Sequence, residues 1–423
     1  MARSHWSIAA ISIVAITVAG VTPAYGQSPS ASPIGAAGSP AASIDASASP
    51  ASSGVTSITD GPGFRNSFAY GVATAPDGSV VMVGQHLDKD PAVPPVPAGA
   101  AAWHSVDGTT WTEVPLPQST NALALNVAVS VRGWAAVGFV PKGAGLVWTS
   151  RDGRSWVSAT PFKKDQPQTV IATTNGFLVG GQSVVKRVAH PVLWQSTDLV
   201  TWARVKLPGK GIVTQLAQGS SGVILAVVAS VASGQVHVRY LRSTDGSTWA
   251  RADVPASRTD KDFRGASELG TSGDLFIQAV NQGPIGGPYV GSIWTSPDGL
   301  VWQDAWTAPV SLFAVASGPV VTVFGRGIQG ASADGVTWTE TFRPEIVLTS
   351  GATNLPDGRS IVLDNSNGTP PSIVVQLVPA TVEPTPSASP AVAPSAPASP
   401  LASPLAPASS APRPSTPTGS AAP

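Results

Sequence analysis

Ser105-Val106-Asp107-Gly108-Thr109-Thr110-Trp111 is one of six copies of a phrase that decides the fold. The pattern is Ser-x-Asp-Gly-x-x-Trp. The later copies place their Asp and Trp at Asp152 and Trp156, Asp198 and Trp202, Asp245 and Trp249, Asp298 and Trp302, and Asp334 and Trp338. The Trp residues are spaced 45, 46, 47, 53 and 36 apart. Self-similarity at such a period means stacked structural units, and it outranks local propensity. Within each copy an Asp carboxylate can accept backbone N–H bonds across a tight turn, and Gly supplies a positive φ without steric cost. The Trp then covers the neighbouring sheet. The third copy has Leu199 in place of Gly. A shared backbone puts that Leu at positive φ.

A second phrase sets the number of units. A turn glycine precedes an apolar run after Gly78, Gly133, Gly176, Gly222, Gly273, Gly318 and Gly358. Each unit therefore reads strand, Gly turn, strand, variable loop, strand, Asp-Gly turn, strand. Seven units in residues 55–380 average about 47 residues each, close to the commonest spacings. Four strands per unit around a ring is a β-propeller blade. The expected fold is all-β, a seven-bladed propeller of four-stranded antiparallel blades. The seventh unit supplies only three strands, near 347–352, 359–364 and 372–378. Val55–Thr59, followed by Gly61-Pro62-Gly63-Phe64, is similar to the segment after each box. It is expected to complete the last blade and close the ring without exposed sheet edges.

The six phrases resemble the Asp-box, or bacterial neuraminidase repeat, of sialidase-like propellers, whose pattern is Ser-x-Asp-x-Gly-x-Thr-Trp. This chain has one residue fewer between Asp and Gly. The resemblance covers about three quarters of the chain and implies a structural hairpin away from any catalytic centre. A sialidase also needs an arginine triad, a Tyr–Glu nucleophile pair and an acid/base Asp, and it usually carries Phe-Arg-Ile-Pro in its first blade. Here that place reads Phe64-Arg65-Asn66. The resemblance therefore implies a non-catalytic secreted member, with an extracellular glycosidase as the alternative.

The 423 residues balance 24 Lys plus Arg against 24 Asp plus Glu, and only 11% are charged. A neutral chain carries no net electrostatic footprint for nucleic acid. Cys is absent, which excludes disulfides, thiolate metal sites and cysteine nucleophiles. Residues 1–26 combine Arg3, an apolar run and Ala24-Tyr25-Gly26, the layout of a signal peptide cleaved after Gly26, with an uncleaved membrane anchor as the alternative. The protein is thus expected to be extracellular or in the cell envelope. Residues 27–54 and 381–423 are Ser/Ala/Pro-rich linker and tail, too polar in composition to bury a core.

Chemistry is sparse. The five His residues show no metal-ligand spacing, and one carboxylate per turn is far short of the six to eight oxygens a Ca²⁺ ion takes. Neither a metal, a cofactor nor a catalytic residue is implied. Candidate ligand-binding residues are Arg65, Arg264, Arg326, Arg343, His190 and Tyr289 on the face of the strand 2–3 and 4–1 loops, together with Trp306. That Trp follows no repeat position and is expected near the propeller mouth. The expected role is a monomeric binding or scaffold module for a cell-surface glycan or a protein.

Overall fold

The computed structural model describes residues 54–88, 97–141, 143–232, 235–252, 262–284, 289–347, 349–366 and 370–381. Residues 1–53 and 382–423, which hold the expected signal peptide and most of the linker and tail, lie outside them. The described residues contain 28 strands and no helix, and hence no helix able to cross a membrane.

The strands form seven four-stranded antiparallel sheets. Blade one runs from Ser67 to Val114, blade two from Leu123 to Ala159 and blade three from Gln166 to Lys206. Blade four runs from Ile212 to Ala252, blade five from Asp262 to Ala308 and blade six from Leu312 to Phe342. Blade seven takes three strands from Thr349–Val378 and its fourth from Thr56–Ile58, paired Thr56 to Leu377 and Ile58 to Val375. The ring therefore closes as the sequence implies. First strands of successive blades touch one another all the way round, so they surround the axis.

Each second strand is sandwiched between neighbouring sheets and reads as a nearly unbroken apolar run, for example Val80–Leu87, buried at all but His86. Fourth strands lie at the rim and are mostly exposed, as in Ala203–Lys206. The core is a series of apolar layers between facing sheets. One holds Trp134, Trp148 and Trp156, and the next holds Phe162, Phe177 and Trp194.

The Ser–Asp–Gly turns are built alike. In the first, Gly108 N–H donates to Ser105 Oγ at 2.8 Å, and Ser105 Oγ–H donates to Asp107 Oδ1 at 3.0 Å. The same Oδ1 accepts the N–H groups of Thr109 and Thr110, both at 2.8 Å. These bonds favour the ionised carboxyl. The Thr337 N–H, with Val336 N–H beside it, holds Asp334 down at about 2. In four turns the Trp indole N–H donates to the Gly carbonyl, as Trp111 does to Gly108 at 3.1 Å. Trp202 and Trp302 have a buried indole N–H without that bond.

The turn glycine also seats a blade on the previous one. A Cβ on Gly153 would lie 2.9 Å from Val81 of blade one, and one on Gly299 would lie 2.6 Å from Leu225 of blade four. Blade three is the exception. Leu199 stands at φ 64°, the left-handed conformation expected from its place in the repeat. Its side chain is half-buried against the layer between blades two and three, where Ala135 follows the turn. The small Ala on one blade thus accompanies a large residue on the next.

The segments between blades explain the Trp that precedes most Ser–Asp–Gly turns. Trp103 donates to Pro62 O at 2.9 Å, and Trp148 donates to Pro117 O at 2.7 Å. Phe64, fully buried, meets Trp103 edge-on at 6.1 Å and Trp111 at 6.4 Å. Gly61–Phe64 therefore does for blade one what Leu116-Pro117 does for blade two.

Three outcomes are expected. A chain beginning at residue 60 melts far below one beginning at residue 54, because the rim of blade seven loses its strand; equal melting points would refute ring closure by Thr56–Ile58. Gly335→Ala loses about 1–3 kcal/mol in denaturant unfolding, since its methyl would overlap Leu275 and its φ is 71°. Leu199→Gly changes stability by less than about 1 kcal/mol, because relief of backbone strain offsets the lost packing.

Candidate functional site

The strand 2–3 and 4–1 connections share one face of the ring, and the candidate residues do not converge on it. Arg65 is exposed beside the first strand of blade one and lines a depression of about 240 Å³ with Asn66, His86, Leu87, Asp88 and Ala98. Arg326 is exposed in the two-residue turn of blade six. Arg343 reaches that turn through its backbone, donating N–H to Gly327 O at 2.8 Å. Its side chain is buried, with Nε donating to Gln329 Oε1 at 2.9 Å, and burial lowers its pKa. Arg264 lies in the first strand of blade five, and its side chain is outside the described residues. His190 is half-buried in blade three, its Nδ1 3.3 Å from Gly209 O, and Tyr289 is half-buried before the third strand of blade five. Trp306 sits in the seam between blades five and six. Its ring stacks on Trp338 at 5.6 Å and 10°, and it lies against Gly330, where a Cβ would be 2.8 Å away.

Beside Arg65 is an array that the sequence spacing did not reveal. His86 Nδ1 is 2.8 Å from Ser67 Oγ, and His86 Nε2 is 2.9 Å from Glu113 Oε1. The order matches a nucleophile, a base and an orienting carboxylate. Ser67, however, is fully buried, and its hydroxyl donates to Gly63 O at 2.7 Å. The array holds the Gly61–Phe64 crossing in place, and no substrate atom can reach the hydroxyl.

Around the axis, every first strand carries a bulge at the same level. The register skips Tyr70, Leu125, Gln168, Thr214, Ser267, Phe313 and Ser350 in blades one to seven. Opposite it, four blades have glycine where the bulged backbone comes close. A methyl on Gly84 would overlap the Phe68 carbonyl, and one on Gly138 that of Leu123. This glycine near the end of the second strand, as Val-Gly, Phe-Gly or Gly-Gly, was the one sequence signal for the bulge.

The polar groups at this level tie blade to blade. Asn126 Oδ1 accepts Val170 N–H of blade three at 3.1 Å, and Gln215 Nε2 donates to Ser267 O of blade five at 2.8 Å. Asn281 pairs with both N–H and C=O of Leu312, each at 2.8 Å. Asn365 does the same for Ala69, at 2.9 and 2.8 Å. Glu268 occupies the place of Gln215 one blade on and accepts the Val315 N–H of blade six. Desolvation pushes its carboxyl up to about 8, against the opposing pull of that N–H. Near neutral pH it is thus largely protonated and behaves as a glutamine would. Tyr70 accepts Gln85 Nε2–H at 2.7 Å, and burial raises its phenol.

The opposite face carries the Ser–Asp–Gly turns and a depression of about 620 Å³ between blades one and two, with Asp77, Arg132, Arg151 and Asp152 on its walls. Asp77 is occupied by Ser79, whose Oγ–H and N–H both bond to it. Among the described residues no group of three His, Cys, Asp or Glu residues is placed to hold a metal ion.

The molecule is a seven-bladed β-propeller. Among solved structures it is similar to YCF48 bound to D1 peptide, with a TM-score of 0.50 and 16% identity over 77% of this chain and 97% of that one. It is also similar to a catalytically inactive virginiamycin B lyase from Staphylococcus aureus with quinupristin, with a TM-score of 0.51 and 11% identity over 77% and 100%. Trypanosoma rangeli sialidase in complex with sialic acid matches at a TM-score of 0.43 and 15% identity, over 77% of this chain and 59% of that one. At these identities the likeness is one of fold. No protein-family model and no curated sequence matches the chain.

Glu268 sets a pH dependence. An unfolded glutamate loses its proton near 4.5 and the folded one near 8, so folding is favoured below pH 4.5 and this share of stability is lost as pH rises to 8. Glu268→Gln is expected to raise unfolding stability at pH 8 by about 1–3 kcal/mol, discounted because the side chain is only half-buried, and to change nothing at pH 4. A variant less stable than wild type at pH 8 would refute this.

Proposed function

We propose that this chain is a secreted, non-catalytic propeller of the Asp-box type that binds a glycan or protein ligand. The observation that carries the reading is how its reactive-looking groups are used. Ser67, His86 and Glu113 lock an interblade crossing, Glu268 clasps the next blade, and Arg343 is buried on Gln329. Binding residues are commonly drawn from variable loops such as the strand 2–3 and 4–1 connections, where Lys186, Arg187 and Lys210 are exposed. The Ser–Asp–Gly turns, with their shared hydrogen bonds, support the Asp-box likeness. The apolar start of the chain supports secretion.

The test is a panel of fluorogenic glycosides run beside glycan and peptide arrays, all on the full chain. Binding without turnover is expected. Turnover that disappears in Glu268→Gln or Glu113→Gln would establish the glycosidase instead.

A further inference from the structure

The net charge of zero conceals a strong segregation. Residues 166–244, which make up blade three and most of blade four, contain seven Lys and Arg residues and a single carboxylate, Asp198. Asp198 is held inside the Ser196–Leu199 turn on the other face, accepting the Val200 and Thr201 N–H groups. Asp165, at the border of this sector, is already paired with Arg204 at 3.0 Å.

On the loop face these two blades stand taller than their sheets. In blade three the ribbon Ser183–His190 continues past the last pairs made by the first and fourth strands, Gln166 with Gln182 and Val192 with Lys206. In blade four the second and third strands pair on from Ala229 with Val238 to Ala232 with Gln235. The segment Pro208–Gly211 binds the two ribbons into one ridge. Gly211 N–H donates to Ala189 O at 2.9 Å, and His190 Nδ1 lies 3.3 Å from Gly209 O. From the other side, Arg239 donates to Lys210 O at 2.6 Å and to Pro208 O at 2.7 Å.

The ridge ends in Lys186 and Arg187, both exposed and both in the left-handed region, at φ 48° and 66°. A two-residue hairpin turn of this kind strongly prefers Asn-Gly or Asp-Gly. Two long cations here cost stability, and such strain is characteristic of functional positions. Lys210 is exposed behind them, and Val184, Val185 and Val231 are exposed along the ribbons.

We propose that this ridge is a docking surface for an acidic segment of another protein. The inference rests on the binding-module reading and names the partner class. Spaced cations with no carboxylate among them fit a chain bearing several Asp or Glu residues, which releases counterions and is steered in by charge. The exposed valines argue for a polypeptide rather than an acidic polysaccharide, because aliphatic side chains offer apolar contact to peptide side chains but no aromatic platform for a sugar ring. Neither depression described above lies on the ridge, so the partner lies along a surface rather than in a pocket.

The experiment uses the full chain and a fluorescent synthetic peptide in which Glu alternates with Leu and Ser. Its controls are the same peptide with Lys for Glu, and polygalacturonate. The Glu peptide is expected to bind, more weakly as salt rises, and the Lys peptide is not. The double variant Lys186→Asn, Arg187→Gly is expected to weaken binding about tenfold or more while melting no lower than wild type, because it relieves the strained turn. Lys210→Ala is expected to weaken it less. Unchanged binding by the double variant would overturn the ridge and leave the binding-module reading standing. Binding of polygalacturonate but not of the Glu peptide would overturn the partner class. Failure of every probe, with a positive glycan array, would overturn the ridge alone.

Discussion

Both faces of every blade must be covered, and the recurring contact that does this is the seating of a Ser–Asp–Gly turn against the blade before, with Leu199 in place of the glycine in blade three and no such turn in blade seven. The turn presents no side chain at its glycine, so the neighbouring Val81, Leu225 or Ile361 packs onto bare backbone. The Asp carboxylate stiffens that backbone through two N–H bonds, and the Trp at the end of the phrase fills the space beneath. Everything else follows from repeating this contact round a circle. A blade that bulges at its first strand presents its polar groups to the next blade rather than to solvent, which is why Asn, Gln and one protonated Glu line the seams near the axis.

Much of this was legible in the chain. The six phrases fixed the period, the glycine turns fixed the count, and Val55–Thr59 was recognisable as a fourth strand from its likeness to the post-box segments. Leu199 at positive φ could be read because the repeat imposes its backbone on whatever residue stands there. Gly318 could not be read the same way. It is absent from the positive-φ positions, because the blade six turn spans four residues, Ser317–Val320, and relaxes.

The site was less legible for a physical reason. Repeat phrases report what is common to the blades, whereas function depends on what differs between them. Trp306 was visible as an irregularity, but whether it faces solvent or a seam depends on Gly330, in the third strand of the next blade. The Ser67–His86–Glu113 array joins three strands of one blade, with partners 19 and 27 residues apart and no motif between them. The charge segregation, by contrast, was present in the composition all along and was cancelled by taking a single sum over the chain.

Ring closure by a borrowed strand has a mechanical consequence. Thr56 lies opposite Leu377, so the chain enters and leaves the ring at neighbouring points, and Gly54 packs close to Pro379. A pull between the two ends therefore loads the junction of Thr56–Ile58 with the last strand from one end. Hydrogen bonds there open in succession, as in a zipper, instead of sharing the load as they would in shear. The clasp of the ring is a three-residue strand that tension can peel away while the other six blades remain intact.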